Sequence, residues 1–441
     1  MTIPRTRTRD AACASTVLFP WLLGLVLHAP AQAAESIVPA PVPLSARAPV
    51  LRLTLPEALG RAERASALLE GARARREAAL AAGVTARQLP NPEVELVAGP
   101  VRPRGVGGPD GSARSLAVSQ PLDYAAVREA RAGVADAGVL AAQAAERVLR
   151  RALHAKVRNA FYQILQREEQ LRIAEEDLAN LQQIRDRVGL RVDLGESPRL
   201  DLIRADTELL NARRARDAAR MRVDQARAAL AVLVAAPADS PIEVAGGLPA
   251  LPPVPPLPDI RESALRTNPE LAQLDAERGR SRARVDLEQR LRTPAVSLRG
   301  GVDQEPDQSR WRLGVSVPLP LFNRREGQIR EAAAEAAFAQ AQFDARRQAL
   351  LAELDQAYTG FSLARQQVQA FEGGLLRQAQ QSLRVAEAAY RFGERGIIEY
   401  LDAQRTLRLV RQEYANALFE ARYALIELER LIGSDLLEGR T

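Results

Sequence analysis

Tyr390-Arg391-Phe392-Gly393-Glu394-Arg395-Gly396-Ile397-Ile398-Glu399-Tyr400-Leu401-Asp402-Ala403-Gln404 is a glycine-bearing turn set between two long helical patterns. About two hundred residues earlier the chain carries Gly195-Glu196, followed by Asp201 and Ala205, in the same order as Gly393-Glu394, Glu399 and Ala403. The echo extends in both directions. Glu57-Ala58-Leu59 matches Ser263-Ala264-Leu265, Pro92 to Leu96 matches Pro294 to Leu298, and Ser119-Gln120-Pro121-Leu122 matches Ser316-Val317-Pro318-Leu319. A shared order of matches at similar spacings marks an internal duplication. Each half therefore reads as helix, β-hairpin, long helix, turn, helix.

The long helices carry heptads. Val157, Ile164, Leu171 and Leu178 recur every seven residues, as do Leu407, Tyr414, Ala421 and Leu428. A second series, Ala160, Ala174, Leu181 and Val188, is interrupted by Arg167, and a third runs Leu418, Leu425 and Ile432. Such spacing buries a seam against a neighbouring helix. The stretch from Tyr124 to Val188 has few breakers, and at 1.5 Å per residue its roughly 60 residues span about 90 Å. A rod of that length suits a coiled-coil hairpin or a tunnel wall.

The strand candidates alternate with period two. Val94, Leu96 and Ala98 alternate with Glu93, Glu95 and Val97, Leu116 and Val118 alternate with Ser115, Ala117 and Ser119, and Leu313, Val315 and Val317 alternate with Arg312, Gly314 and Ser316. Turn-rich loops are expected at Gly99–Ala113 and Gly301–Ser309. Two β-hairpins give four strands, too few to close a membrane barrel alone, since the smallest single-chain barrels need about eight. If these strands lie in a membrane, several chains must share one barrel. A soluble sheet packed on one face gives the same alternation, so the pattern leaves both readings open.

Composition narrows the function classes. Of 441 residues, 46% are hydrophobic but only 4% aromatic, and the net charge is +6. The basic pI of about 9.9 comes with Arg and Glu interspersed along helices, which is a solvated face rather than a nucleic-acid footprint. The arginine-rich run around Arg213, Arg214 and Arg216 has no interleaved aromatics on which bases could stack. No nucleic-acid partner is expected.

Arg5, Arg7 and Arg9, an apolar Val17–Leu27 core and Ala31-Gln32-Ala33 form a signal-peptide pattern, with cleavage expected after Ala33. Cys13, the only cysteine, precedes that core, so acylation and disulfides are not expected in the exported chain. His154 is then the sole histidine, and an isolated helical histidine reads as structural. There is no Walker loop, no Gly-x-Ser-x-Gly elbow and no histidine pair with metal spacing. No cofactor, metal site or catalytic residue is expected.

With these features in hand, the sequence resembles the TolC-type outer-membrane efflux protein family over nearly all of the exported chain. The resemblance is carried by Leu53-Thr54-Leu55-Pro56-Glu57-Ala58-Leu59, by the two strand-bearing repeats, and above all by Tyr390–Gly393 leading to Glu399–Gln404. Val317-Pro318-Leu319-Pro320-Leu321-Phe322-Asn323-Arg324 is similar to the heavy-metal (cobalt–zinc–cadmium) branch. It implies a mainly α fold with a small β part: two repeats whose helical hairpins build an α-barrel, and four strands contributing to a trimeric twelve-stranded transmembrane barrel. The divisions are a signal peptide at 1–33, a first repeat at 34–236, a Pro-rich linker at 237–259, a second repeat at 260–432 and a tail at 433–441.

The resemblance also implies a homotrimer in outer-membrane lipid, docked to a periplasmic adaptor and an inner-membrane RND-type pump, serving as a passive exit duct. Divalent metal ions are the expected cargo; drugs, organic toxins or secreted proteins are the alternatives, and a periplasmic scaffold without a pore is a reading of another class. Carried onto this chain, the family's periplasmic gate falls on Glu399, Asp402, Asp201 and Arg395, with an Asp201–Arg395 link helping to hold it shut. The adaptor-docking tip falls on Gly195, Glu196, Gly393, Glu394 and Gly396.

Overall fold

A computed structural model describes residues 50–101, 110–237, 240–247 and 250–435. The signal-peptide pattern, residues 34–49 of the first repeat and residues 436–441 of the tail lie outside the described residues. Nine helices and six strands follow one another among them. They are β1 (Leu51–Leu53), α1 (Leu55–Ala65), α2 (Ala67–Arg87), β2 (Glu93–Val101), β3 (Gly111–Leu122), α3 (Ala125–Asp193), α4 (Arg199–Leu233), β4 (Ile242–Val244), α5 (Leu257–Thr267), α6 (Pro269–Arg290), β5 (Val296–Gln304), β6 (Ser309–Ser316), α7 (Glu326–Ala370), α8 (Leu376–Arg391) and α9 (Ile397–Ile432). The chain is mainly helical, and none of the described helices is apolar enough to cross a membrane.

Local chemistry sets the breaks. Glu57 reaches back to the Thr54 N–H at 2.8 Å and to its hydroxyl at 2.7 Å, so the Thr54–Glu57 motif is a helix start. The opening helix of each half is in fact two helices. Ser66 caps α2 through the Leu69 N–H, and Asn268 caps α6 through the Leu271 N–H, with Pro269 unable to continue α5. The rod of the first half is one unbroken 69-residue helix. Its counterpart is interrupted: Phe371–Leu375 forms a single π turn in which Gly374 leaves helical geometry, dividing α7 from α8. Two adjacent glycines, Gly373 and Gly374, make that break cheap.

Two apolar cores form a waist. In one, Ala58, Ala62, Val157, Phe161, Ile164 and Leu230 close around α1, α3 and α4, with Leu53 and Ile242 of the parallel β1–β4 pair. In the other, Ile260, Ala264, Leu350, Leu354, Leu428 and Leu431 play the same part. Buried charge joins them: Arg158 meets Glu429 at 2.6 Å and Asp435 at 2.9 Å, and Arg151 meets Asp435 at 2.8 Å. The end of α9 is capped by the α5–α6 corner, where Thr267 Oγ1 donates to the Ile432 carbonyl and Asn268 Nδ2 to that of Leu431, both at 2.7 Å.

The four-stranded sheet, ordered β2-β3-β5-β6, is antiparallel throughout. Its strands are longer than the alternation suggested. β2 runs on to Val101, β3 begins at Gly111 and β5 continues to Gln304, so part of each expected loop is strand. Cross-strand rows Leu96–Leu116–Val302–Trp311 and Val94–Val118–Gly300–Leu313 fall on one face. The opposite face carries Glu95–Ala117–Gly301–Arg312 and Glu93–Ser119–Arg299–Gly314. No protein covers the apolar face: Leu96 is 76% exposed, Leu313 71% and Trp311 78%. The polar face is open as well at Glu93, Glu95, Arg299 and Arg312, with Ser115, Ala117 and Ser119 of β3 partly covered.

Gly393 (φ 75°) and Gly433 (φ 87°) share a left-handed backbone, but only at Gly433 would a Cβ collide, 2.4 Å from the Thr267 carbonyl oxygen. Gly393→Ala is expected to cost about 1–2 kcal/mol from the left-handed backbone alone. Gly433→Ala is expected to cost clearly more, because it also breaks the α9 cap. Thermal unfolding of the two variants in detergent checks this ranking.

Candidate functional site

The two glycine turns close the helical hairpins α3–α4 and α8–α9 in one way. The Gly195 N–H bonds the Val192 carbonyl at 3.0 Å and Glu196 bonds that of Arg191 at 2.8 Å. Gly393 bonds Tyr390 at 3.2 Å and Glu394 bonds Ala389 at 2.9 Å. Both pairs are Schellman closures with a left-handed glycine, at φ 77° and 75°. Gly195, Glu196, Gly393, Glu394 and Gly396 are all exposed. Around them Leu194, Leu200, Ile203, Phe392 and Ile398 are exposed as well, an apolar surface at both tips.

The turns lie beside each other. Arg191 Nη1 donates to the Tyr390 carbonyl at 3.3 Å and Nη2 to that of Arg391 at 3.1 Å, so one hairpin's arginine caps the end of α8. Its guanidinium sits 4.9 Å from the Tyr390 ring, which stacks on Tyr400 at 5.8 Å. None of Arg191, Tyr390 and Tyr400 was singled out from sequence for this role. The available signal was two tyrosines flanking one turn in a chain with few aromatics.

Glu399 and Asp402 stand one turn apart in the first turns of α9, both exposed and, among the described residues, without an ion-pair partner in the protomer. A Cβ on Gly396 would lie 3.4 Å from Glu399 Oε2, which places that carboxylate at the positive end of α9. Asp402 borders a groove of about 370 Å³ between α4 and α9, with Ile203, Glu208, Ile398 and Arg405.

The Asp201–Arg395 link does not form within the protomer. Asp201 lies in the first turn of α4 and faces its own-helix neighbour Arg204 at 3.7 Å. Arg395 is exposed in the other turn, with no ion pair among the described residues. Matching positions in two repeats need not touch when the hairpins pack through other faces.

The links between the halves lie higher. Arg187 meets Glu387 at 3.3 Å, Arg405 meets Glu208 at 2.6 Å and Arg411 meets Glu176 at 3.1 Å. The buried member is Asp177 of α3, which accepts from Gln404 Nε2 at 3.1 Å and lies 3.5 Å from Arg408 Nη1. Burial holds the Asp177 carboxyl above its ordinary range; the Gln404 bond and Arg408 pull the other way, and Glu208 adds to the rise. His154 sits 2.5 Å from Glu63, a contact between α3 and α1, and no cluster of potential metal ligands occurs among the described residues.

A sheet whose apolar face is bare, mounted on paired helical hairpins with open edges, is the geometry of a wall segment of a membrane channel. The chain belongs to the outer membrane efflux protein family, whose sequence profile matches residues 58–236 and 260–434. It is 28% identical over 396 residues to the cobalt-zinc-cadmium resistance protein CzcC of Cupriavidus metallidurans, covering 89% of this chain and 93% of that one. Its fold is that of the outer membrane protein VceC from Vibrio cholerae, with a TM-score of 0.71 at 18% identity over 86% of this chain and 96% of the other. It is likewise that of CusC, a protein studied for folding and transmembrane channel formation, with a TM-score of 0.72 at 19% identity, covering 89% and 96%.

For an acid whose pKa is raised on folding, stability falls as pH rises through the folded pKa and recovers as pH drops below it. Asp177→Asn is therefore expected to remove a component of stability gained on mild acidification. Thermal unfolding of both proteins across the acidic range, compared as a difference, measures it.

Proposed function

We propose that three copies of this chain form an outer-membrane channel that is the passive exit duct of a tripartite efflux system, serving divalent heavy-metal cations expelled by a proton-driven RND-type pump. The observation that carries the reading is the inside-out sheet. An apolar face is left bare on four strands whose outer members, β2 and β6, each keep one edge unpaired among the described residues. Unpaired strand edges are not tolerated in hydrocarbon, since each orphan backbone group costs several kcal/mol. Head-to-tail joining of the β6 edge of one copy to the β2 edge of the next removes both edges and closes a ring. Three copies supply twelve strands. The polar face then lines the lumen, and the hairpins stand side by side as the periplasmic tunnel.

The exposed apolar surface at the two tips is the docking place for a periplasmic adaptor. Glu399 and Asp402 are the gate. Threefold repetition makes two rings of carboxylates, and such rings favour cations. Asp201 and Arg395, unlinked within one protomer, are free to meet across a subunit boundary. A metal cargo is supported by the likeness to CzcC and by these acids; with no metal-ligand cluster among the described residues, selection among metals belongs to the pump.

Reconstituted trimers in planar bilayers are expected to pass cations in preference to anions, and Glu399→Gln with Asp402→Asn to lose that preference severalfold without loss of the trimer. Deleting the gene is expected to sensitise cells to divalent metals alone; sensitivity spreading to dyes and antibiotics, or lost protein secretion, would replace the cargo assignment. Protein found free in the periplasmic extract would end the channel reading.

A further inference from the structure

The apolar row of β6 does not stop where its ladder stops. Trp311, Leu313 and Val315 are exposed along the strand, and the alternation continues through Val317, Leu319 and Leu321, all exposed. Pro318 and Pro320 lie between them and have no N–H to offer a neighbouring strand. The eight paired residues of β6 measure about 27 Å along the strand. At the usual barrel tilt that is roughly 20 Å along the membrane normal, short of an apolar band of about 25 Å.

The two repeats also differ at this junction. In the first, Leu122 is followed within three residues by Ala125 at the start of α3; in the second, Leu319 is followed by α7 only at Glu326, seven residues on. The four additional residues include Leu321, Phe322 and Arg324. Phe322 is fully exposed. The turn is nonetheless built. Arg325 holds a left-handed backbone at φ 59°, its N–H bonds Asn323 Oδ1 at 3.0 Å, and its guanidinium reaches the buried carboxylate of Glu288 at 2.5 Å. A left-handed arginine persists only where its surroundings impose it. The exposed apolar tip is thus held out from the body by a fixed support on α6.

We propose that the junction Leu319–Arg325 is a membrane-interface anchor, seating Leu321 and Phe322 at the acyl–headgroup boundary of the inner leaflet, with Arg324 reaching lipid phosphate. The inference rests on the channel reading, and it gives the four-residue excess of the second repeat a partner: phospholipid. It lengthens the short edge strand's apolar row to the thickness of the bilayer. Arg324 is exposed and has no ion pair among the described residues, as a lipid-facing arginine requires; basic side chains at this depth place the charge among headgroups and the stem in hydrocarbon.

The test uses the channel in phosphatidylethanolamine–phosphatidylglycerol vesicles, with or without bromine near the headgroup end of the acyl chains. Two single-tryptophan forms of the exported channel, which leaves Trp21 behind with the signal peptide, are compared: one keeps Trp311, and the other carries Trp311→Phe and Phe322→Trp. Brominated lipid is expected to quench both indoles, and the indole at position 322 to emit to the blue of its position in urea. Quenching of Trp311 without quenching at position 322 overturns the anchor, whether that side chain faces water or a second copy. Absence of quenching at both positions overturns the channel reading itself.

Discussion

An apolar sheet face without protein to cover it is the constraint from which the rest of this structure follows. Burying such a face inside the chain would need a layer that none of the nine helices among the described residues supplies; they pack on one another, at the waist and along the hairpins. Lipid solves the problem for the face but creates one for the edges, because hydrocarbon offers no partner for the free N–H and C=O groups of β2 and β6. Only copies of the same chain can answer that in a closed form. Hairpins rooted below each pair of strands are then carried into a ring, so the tunnel is a consequence of barrel closure rather than a separate design.

Much of this was legible in the residues, and for a definable reason. The seam positions Val157, Ile164, Leu425 and Leu428 are buried as their seven-residue spacing demanded, because a two-helix seam is a one-dimensional pattern. The glycines of the tips were legible because a Schellman closure needs a left-handed residue at a fixed offset. Alternation showed the strands but not whether protein or lipid covers their apolar face, since that is a property of the whole assembly. The unlegible part is pairwise. Asp177 finds Gln404 and Arg408, 227 and 231 residues away, and nothing in local spacing announces which arginine a given carboxylate will meet in a chain this rich in both. The Asp201–Arg395 pair is illegible on the same ground: within one protomer Asp201 faces Arg204 instead, and equivalence in sequence does not measure distance across a hairpin pair.

The links between the halves are graded along the rod. At the waist, Arg158 and Glu429 are nearly inaccessible to water, and removing one partner of such a pair costs about 3–5 kcal/mol. Towards the tips the ties become exposed ion pairs such as Arg187–Glu387, each worth about 0–1 kcal/mol. Asp177 stands between these regimes, buried but imperfectly compensated. A hairpin held firmly at one end and weakly at the other bends at its weak end when a partner supplies competing contacts.

The break at Phe371–Leu375 fits that gradient and shows where bending is cheapest. α3 runs through the same height uninterrupted, so the outer path of the first half is stiff, while Gly373 and Gly374 relax the helix of the second half just above α8. Tyr414 steadies the break by donating to Glu372 at 3.0 Å and packing on Phe371 at 5.9 Å, both partly solvated contacts. The carboxylates Glu399 and Asp402 ride on α9, the hairpin partner of α8. In the channel proposed above, a bend of α8–α9 at the π turn is the change that would shift those charges while leaving the waist cores and the sheet in place.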